Sequence, residues 1–440
     1  MHPVFADVPL PSAAPSGCYD AGRGSCLLRW DGATLADFTA ACAALEAAGF
    51  ALQEETTLEE NVHRTYAAGV TAHIYYCASE RALRLVGDPS VAFGPAAPDP
   101  ARVCEPALWQ FEVDHALIDC GMCYIVRARN GHFFVIDSPH GYSLRDAERI
   151  CDFLCAQTGG AKPVVEGWFF SHAHDDHITQ FLNVLEFQLS RVEIRAVYYN
   201  FPAPDHRDSA AWCPSSCHVA ARFERMLDAH PEIRRVRLHT GQRFYIGDLR
   251  LTVLCTHEDV FPASLENFND TSTALLLEAA GSRILFSGDC AAQSDRVLCT
   301  RYSVETLRCD VLQISHHGHA GLSPEFYRRA AAPCCLFPVT RIKFDEELPR
   351  QAANRTALAL CREYYIASDG TVRIPLPYDS GPVERLPDET FENFEGVYQL
   401  WTYTYSQLYK DLLYLTYLAR GGKPLPQPPA LPAARTGEEG

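Results

Sequence analysis

No uninterrupted apolar stretch of this chain reaches the roughly 20 residues that a membrane-spanning helix needs. Met1 to Gly22 lack a basic patch followed by an apolar run, so no secretory leader is expected, and the cytoplasm is the expected compartment. Positive charge is also short: 38 Lys and Arg against 55 Asp and Glu leave a formal charge of −17. That excess argues against a surface built for nucleic-acid backbones or for anionic membranes. An anionic substrate stays open, because bound divalent cations reverse the local sign of a site. The 18 cysteines lack a framework. They are scattered through a long chain without an export signal, so reduced thiols are expected. Cys120-x-x-Cys123 is the one CxxC, and without a second such pair it reads as buried and structural rather than as a zinc or redox motif.

What is present is globular. The 440 residues, 47% hydrophobic, can bury a large core in two or three domains. Residues 1–25, rich in Pro, Ala, Gly and Ser, read as a flexible arm. Residues 26–88 read as a small α+β domain of one helix and three or four strands. Its helix opens at a Thr34/Asp37 capping box and carries Leu35, Phe38, Cys42 and Leu45 at helical spacing. The Pro-containing stretch 89–108 reads as a stiff linker. Long β-type runs then fill 109–385, with a hairpin signal at Asn130-Gly131. Over 386–420, Phe394, Tyr398, Trp401, Tyr405, Leu408, Leu412 and Leu415 step by four and three, predicting an amphipathic C-terminal helix. It is expected to dock on the N-terminal domain or, through 394–415, to pair two chains into a homodimer. Residues 421–440 read as disordered.

The chemistry concentrates in one stretch. The apolar run Val164 to Phe170 reads as a buried strand, and Ile178, Phe181, Leu182 and Leu185 continue at helical spacing. Between them, His172-Ala173-His174-Asp175-Asp176-His177 packs three histidines and two aspartates into six residues. Imidazole nitrogen and carboxylate oxygen suit Zn²⁺ and other transition metals. Alternate residues of an extended turn share a side, so His172 and His174 can hold one ion. Asp176 and His177, farther round the turn, can hold a second.

His172-x-His174-x-Asp176-His177 resembles the HxHxDH signature of the metallo-β-lactamase fold hydrolases. The resemblance covers roughly residues 110–380 and implies an αββα sandwich, of α/β class, with a two-metal site at one edge. It also implies roles at three further strand ends. Asp137 would orient a metal-binding turn by hydrogen bonding. Asp289, after Ser287-Gly288, would bridge two ions about 3.5–4 Å apart. His316, in Ser315-His316-His317-Gly318, would bind the second ion, with His317 its rival and free to reach substrate. One family element is missing: no Gly-His-Thr turn supplies the third histidine of the first ion. Asn267 to Ser272 stands there instead, so His257, Asp270 or Asn269 are the candidates. With the Ser-His-His-Gly turn, this variant resembles the domain of the competence DNA-uptake proteins and related phosphodiesterase-like hydrolases.

The expected function is therefore hydrolysis dependent on two divalent cations, Zn²⁺ first, with Mn²⁺ or Fe as alternatives. A metal-bridging water of lowered pKa would supply hydroxide to a phosphodiester or phosphate ester. Asp176 would hold an ion in the catalytic set, and Asp175 would orient the cluster or carry a proton. The alternatives are a mononuclear iron oxygenase, or lactamase, lactonase or thioesterase chemistry, on the same fold.

Overall fold

The computed structural model describes residues 3–115, 120–141, 143, 145–203 and 214–386. Six antiparallel strands open the chain: Gly17–Gly22 (β1), Ser25–Asp31 (β2), Ala51–Leu58 (β3), Asn61–Ala67 (β4), Thr71–Cys77 (β5) and Ala82–Asp88 (β6), in the order β1-β2-β6-β5-β4-β3. Helix Leu35–Ala47 (α1) covers one face. Thr34 and Asp37 cap it reciprocally, and Phe38, Ala41, Cys42 and Leu45 turn inward. This sheet has more strands than the three or four expected. The arm expected over 1–25 is also packed: Val4 and Phe5 are buried against β6, and β1 forms the sheet edge. Its Pro-rich composition hid two apolar side chains whose partners lie more than eighty residues away.

The second sheet is built from Ala107–Gln110 (β7), Tyr124–Arg127 (β8), Phe133–Ile136 (β9), Val164–Phe169 (β10), Glu193–Ile194 (β11), Ala196–Tyr199 (β12) and Arg234–Arg237 (β13). Val372–Pro375 and Glu384–Arg385 extend it beyond β7. The β8–β9 hairpin turns at Asn130-Gly131. The third sheet orders Arg243–Ile246 (β14), Leu249–Cys255 (β15), Ala274–Ala279 (β16), Ser282–Phe286 (β17), Val311–Gln313 (β18), Cys334–Phe337 (β19) and Glu363–Ile366 (β20) consecutively.

These two sheets face each other. Along β9, Phe134 and Ile136 point into an inter-sheet core shared with Phe244, Leu251, Leu277 and Phe286, while Phe133 and Val135 point outward. On that outer side lie helices Asp146–Gln157 (α2), Asp175–Asn183 (α3) and Pro214–Asp228 (α4), which bury Ile150, Phe181 and Phe223 against the sheet. Helix Ala292–Arg301 (α5) and its neighbours cover the third sheet's outer face. The result is an αββα sandwich. Burial on both faces explains why β9 and β10 read as continuous apolar runs instead of alternating ones.

The N-terminal sheet is fastened to the sandwich by buried charge. Arg301 pairs with Asp259 and with Glu80 (2.6 Å to the latter), and His239 lies between Glu258 at 2.9 Å and Asp88 at 3.2 Å. Among the described residues no helix is long and apolar enough to cross a membrane. The expected tail helix (all but Leu386), its stripe over 394–415 and the end 421–440 lie outside the described residues.

Candidate metal centre

Strand β10 delivers the cluster. After Phe169 the chain bends at Ser171 and His172 and is extended at His174 (φ −80°, ψ 157°), and the rings of His172 and His174 come together. Helix α3 then begins, with Asp175 and Asp176 in its first turn, where the helix dipole favours carboxylates. His172 Nε2 and His174 Nδ1 are 2.9 Å apart.

Asp137 follows β9 in left-handed backbone (φ 54°) and is fully buried. Its carboxylate accepts from Ser171 N at 2.7 Å, Ser171 Oγ at 2.7 Å and His177 Nδ1 at 2.8 Å. Because the Ser171 hydroxyl proton is spent on Asp137, Ser171 Oγ accepts from His172 Nδ1 at 3.0 Å. One carboxylate thus sets the orientation of two histidines, each with Nε2 facing inward.

From the other sheet, β17 ends at Ser287-Gly288-Asp289. Gly288 has φ 53°, and a Cβ there would lie 2.6 Å from Ser171 Cβ, so only glycine lets the two strand ends approach. Asp289 is 1% exposed, and its N–H donates to Ser272 Oγ at 3.0 Å. Its Oδ2 lies 3.3 Å from His177 Nε2, 3.3 Å from His317 Nε2 and 3.9 Å from His172 Nε2. Two donor sets result, Asp176-His177-Asp289-His317 and His172-His174-Asp289, with Asp289 in both.

The turn after β18 reverses the roles expected of its histidines. It is His317, not His316, that enters the cluster, with Nε2 3.1 Å from Asp176 Oδ2. His316 and His317 both adopt left-handed backbone (φ 51° and 53°), which rolls the first ring outward and the second inward. His316 Nδ1 donates to the Ala320 carbonyl at 3.0 Å, and its Nε2 accepts from Asn269 Nδ2 at 3.0 Å. Sequence spacing alone cannot separate adjacent histidines when two successive residues leave the ordinary backbone regions.

Of the three named replacements for the missing histidine, His257 and Asp270 stand outside the first set, and Asn269 turns its Nδ2 to His316. Asp270 Oδ1 accepts from Ala291 N at 3.1 Å and Ser294 N at 2.8 Å, so its carboxylate holds the start of α5. His257 Nε2 is 3.2 Å from Asn200 Oδ1, at the end of β12. What stands beside the first pair is Phe268, whose ring centroid is 4.9 Å from that of His174. Asp175 leaves the donor sets and pairs with His140 Nε2 at 3.3 Å.

The residues fit a cation on electrostatic grounds. His177 and His317 each spend Nδ1–H on an anchor, Asp137 and the Pro338 carbonyl (2.8 Å) respectively, so their Nε2 atoms face each other at 3.2 Å. Two neutral imidazoles so placed oppose lone pairs, and the arrangement calls for positive charge between them. Burial alone would lower both pKa values. Asp289 and Asp176 outweigh it, holding His317 up at about 10 and His177 well above its ordinary range. His172 goes the other way, depressed by burial and by the charge of His177 and His174. Asp289 Oδ1 is buried and has no hydrogen-bond partner among the described residues.

Two neighbours had little signal in sequence. Ser171 was given no role. Cys120 was taken for core, as Cys123 is, yet it is half-buried, and its backbone bridges Val339. The signal was Gly121 between them (φ 136°), which breaks the strand that the run suggests.

Residues 154–332 match the family model described as a beta-lactamase superfamily domain. No curated protein sequence matches the chain. Among solved structures, the metallo-beta-lactamase fold protein YhfI from Bacillus subtilis is 10% identical, over 60% of this chain and 96% of that one, with a TM-score of 0.38. Yeast PDE1 is 10% identical over 62% of this chain and 100% of its own, TM-score 0.39. CmlA, a diiron beta-hydroxylase from Streptomyces venezuelae, is 13% identical over 74% of this chain and 53% of its own, TM-score 0.30.

Proposed function

We propose that this chain, whose residues 154–332 match the family model of a beta-lactamase superfamily domain, is a two-metal hydrolase acting on a phosphodiester or phosphate ester. The observation that carries the proposal is the shared carboxylate: Asp289 belongs to both donor sets, as a group joining two cations must. Asp176, His177, His317 and Asp289 would hold one ion, and His172, His174 and Asp289 the other. Zn²⁺ suits this nitrogen and oxygen set best. When bound, such a pair supplies Lewis acidity and lowers the pKa of a water toward neutrality.

The chain's own groups do the rest. Asp137 and Ser171 take the Nδ1 protons of His177 and His172 and so aim the inward Nε2 atoms. The Pro338 carbonyl does the same for His317. Phe268 shields His174 on one side. The Asp175–His140 pair, adjacent to the cluster, is placed to hold or pass a proton at its edge. The Ser315 to Gly318 turn, resembling that of phosphodiesterase-like relatives, favours the phosphoester substrate over a lactam or thioester.

Stripped protein reloaded with Zn²⁺ or Mn²⁺ is expected to hydrolyse bis-nitrophenyl phosphate. Silence with both metals, alongside lactone or lactam turnover, overturns the substrate assignment. A second reading rests on the first donor set, which within itself is two histidines and one carboxylate, the ligand type of non-haem iron oxygenases. Iron retention with oxygen consumption, and no phosphoester hydrolysis, would favour it.

A further inference from the structure

We propose that Cys18 and Cys26 form a reversible disulfide that fastens the edge strand β1 to β2 when a hydroperoxide reaches the exposed thiol. The pair lies outside the metal centre and does not depend on the two-metal reading.

The hairpin brings the two sulfurs together. In the register of β1 and β2, Cys18 lies opposite Leu28 and Asp20 lies opposite Cys26. Opposed residues share a face and alternate residues return to it, so Cys18 and Cys26 are diagonal neighbours on one side of the sheet. Their Sγ atoms are 3.2 Å apart, in hydrogen-bonding contact. A covalent S–S bond is about 2.0 Å long, so closure asks for a shift of roughly 1 Å. β1 can give that shift. It is the sheet edge, bonded only to β2 among the described strands, and its register already breaks between Asp20 and Gly22. The two thiols also differ in accessibility. Cys18 is exposed and meets solvent oxidants, whereas Cys26 lies in the core with Leu28 and Trp30. Burial, and then the Cys18 thiol beside it, push the Cys26 thiol up, so it stays protonated until its neighbour is oxidised.

With hydrogen peroxide as the oxidant, the O–O bond breaks. The Cys18 sulfur takes one oxygen to become a sulfenic acid, and the other leaves as water. The Cys26 sulfur then attacks Cys18: the S–S bond forms, the S–O bond breaks, and the Cys26 proton leaves with the oxygen as a second water. Two thiols lose two electrons and the peroxide gains them. A small dithiol, itself oxidised to a disulfide, restores the pair.

The hairpin bears on the edge where the metal centre stands. Arg237 donates to Ser25 Oγ at 2.6 Å and to the Gly22 carbonyl at 3.2 Å, and its Nε donates to Asn200 Oδ1 at 3.1 Å. Asn200 follows β12, which runs parallel to β10 with Tyr198 beside Phe169, so Asn200 and Ser171 leave neighbouring strands at the same edge. The disulfide therefore steadies a hairpin that props this flank.

The reduced full chain is treated with hydrogen peroxide, its remaining thiols are blocked with iodoacetamide, and its peptides are mapped by mass spectrometry. A linked Cys18–Cys26 peptide is expected, lighter by two hydrogens, and dithiothreitol should return both thiols to alkylation. C18S, a change at an exposed position, should leave Cys26 free under the same dose. Alkylation of both residues in the unaltered protein, an oxygenated Cys18 beside an alkylated Cys26, or oxidation of Cys26 in C18S overturns the pairing. Hydrogen exchange reads the fastening: amides of β1 should exchange about tenfold more slowly in the oxidised chain, and equal rates in the two forms overturn that role.

Discussion

Replacing Asp137 by Asn removes one negative charge and almost no volume. Asparagine tolerates left-handed backbone as aspartate does, so φ 54° at this position imposes no new strain. The carboxylate accepts three hydrogen bonds, from Ser171 N, Ser171 Oγ and His177 Nδ1. A carboxamide cannot serve all three. With its oxygen toward Ser171 N, its NH₂ faces His177 Nδ1, which must then accept, moving the imidazole proton to Nε2 and blocking the atom that faces the cation. With the amide turned over, Ser171 N is left buried and unsatisfied, at a cost of about 1–3 kcal/mol. Loss of such a supporting partner typically lowers metal affinity about 10–100-fold, or about 1.4–2.7 kcal/mol. Zn²⁺ titration against a chromophoric chelator should show that loss in the ion coordinated by His177, with the fold intact by circular dichroism. Affinity within about threefold of the unaltered protein would refute the argument that Asp137 sets the His177 tautomer.

Three further outcomes follow from the same geometry. His317→Ala should abolish tight binding of one ion per chain, losing about 100-fold or more in affinity, while His316→Ala keeps the metal stoichiometry; plasma emission analysis of dialysed variants reads this directly. Glu54 is raised by burial to about 7 against the hydrogen bonds from Thr56 and Arg243. Its folded pKa lies above its unfolded one, so stability is lost as pH rises from about 4.5 through 7, and E54Q should gain about 1–3 kcal/mol in denaturant melts at pH 8 and nothing at pH 4. His239 is the opposite case: burial would lower it, but Glu258 and Asp88 hold it up at about 9. Its contribution, up to about 3 kcal/mol, is fully present below about 6.5 and lost as pH rises through 9, so thermal melts between pH 6 and 10 should fall with pH in the unaltered protein and flatten in H239Q.

The strand ends were legible because their chemistry is local. His172 to His177 announced themselves by composition, and the apolar runs before Asp137 and Asp289 marked both as strand-terminal. The sandwich was implied by the resemblance that the HxHxDH stretch carries, and runs buried on both faces agree with it. Features decided by tertiary packing were not legible. Phe5 packs on Gly87 across the chain, so a Pro-rich arm became part of a sheet. Two left-handed residues exchanged His316 for His317. Asp270, a plausible oxygen donor by position, is occupied by the start of α5. Phe268 fills the flank where a third histidine was sought, and nothing in an Asn-rich turn foretold an aromatic ring over His174.

The central claim is that two cations share Asp289. An anomalous difference map from a zinc-loaded crystal tests it most directly. The account predicts two peaks, one bounded by Asp176, His177 and His317 and one by His172 and His174, both touching the Asp289 carboxylate. A map without zinc among these residues, or with ions that leave Asp289 uncoordinated, would contradict it.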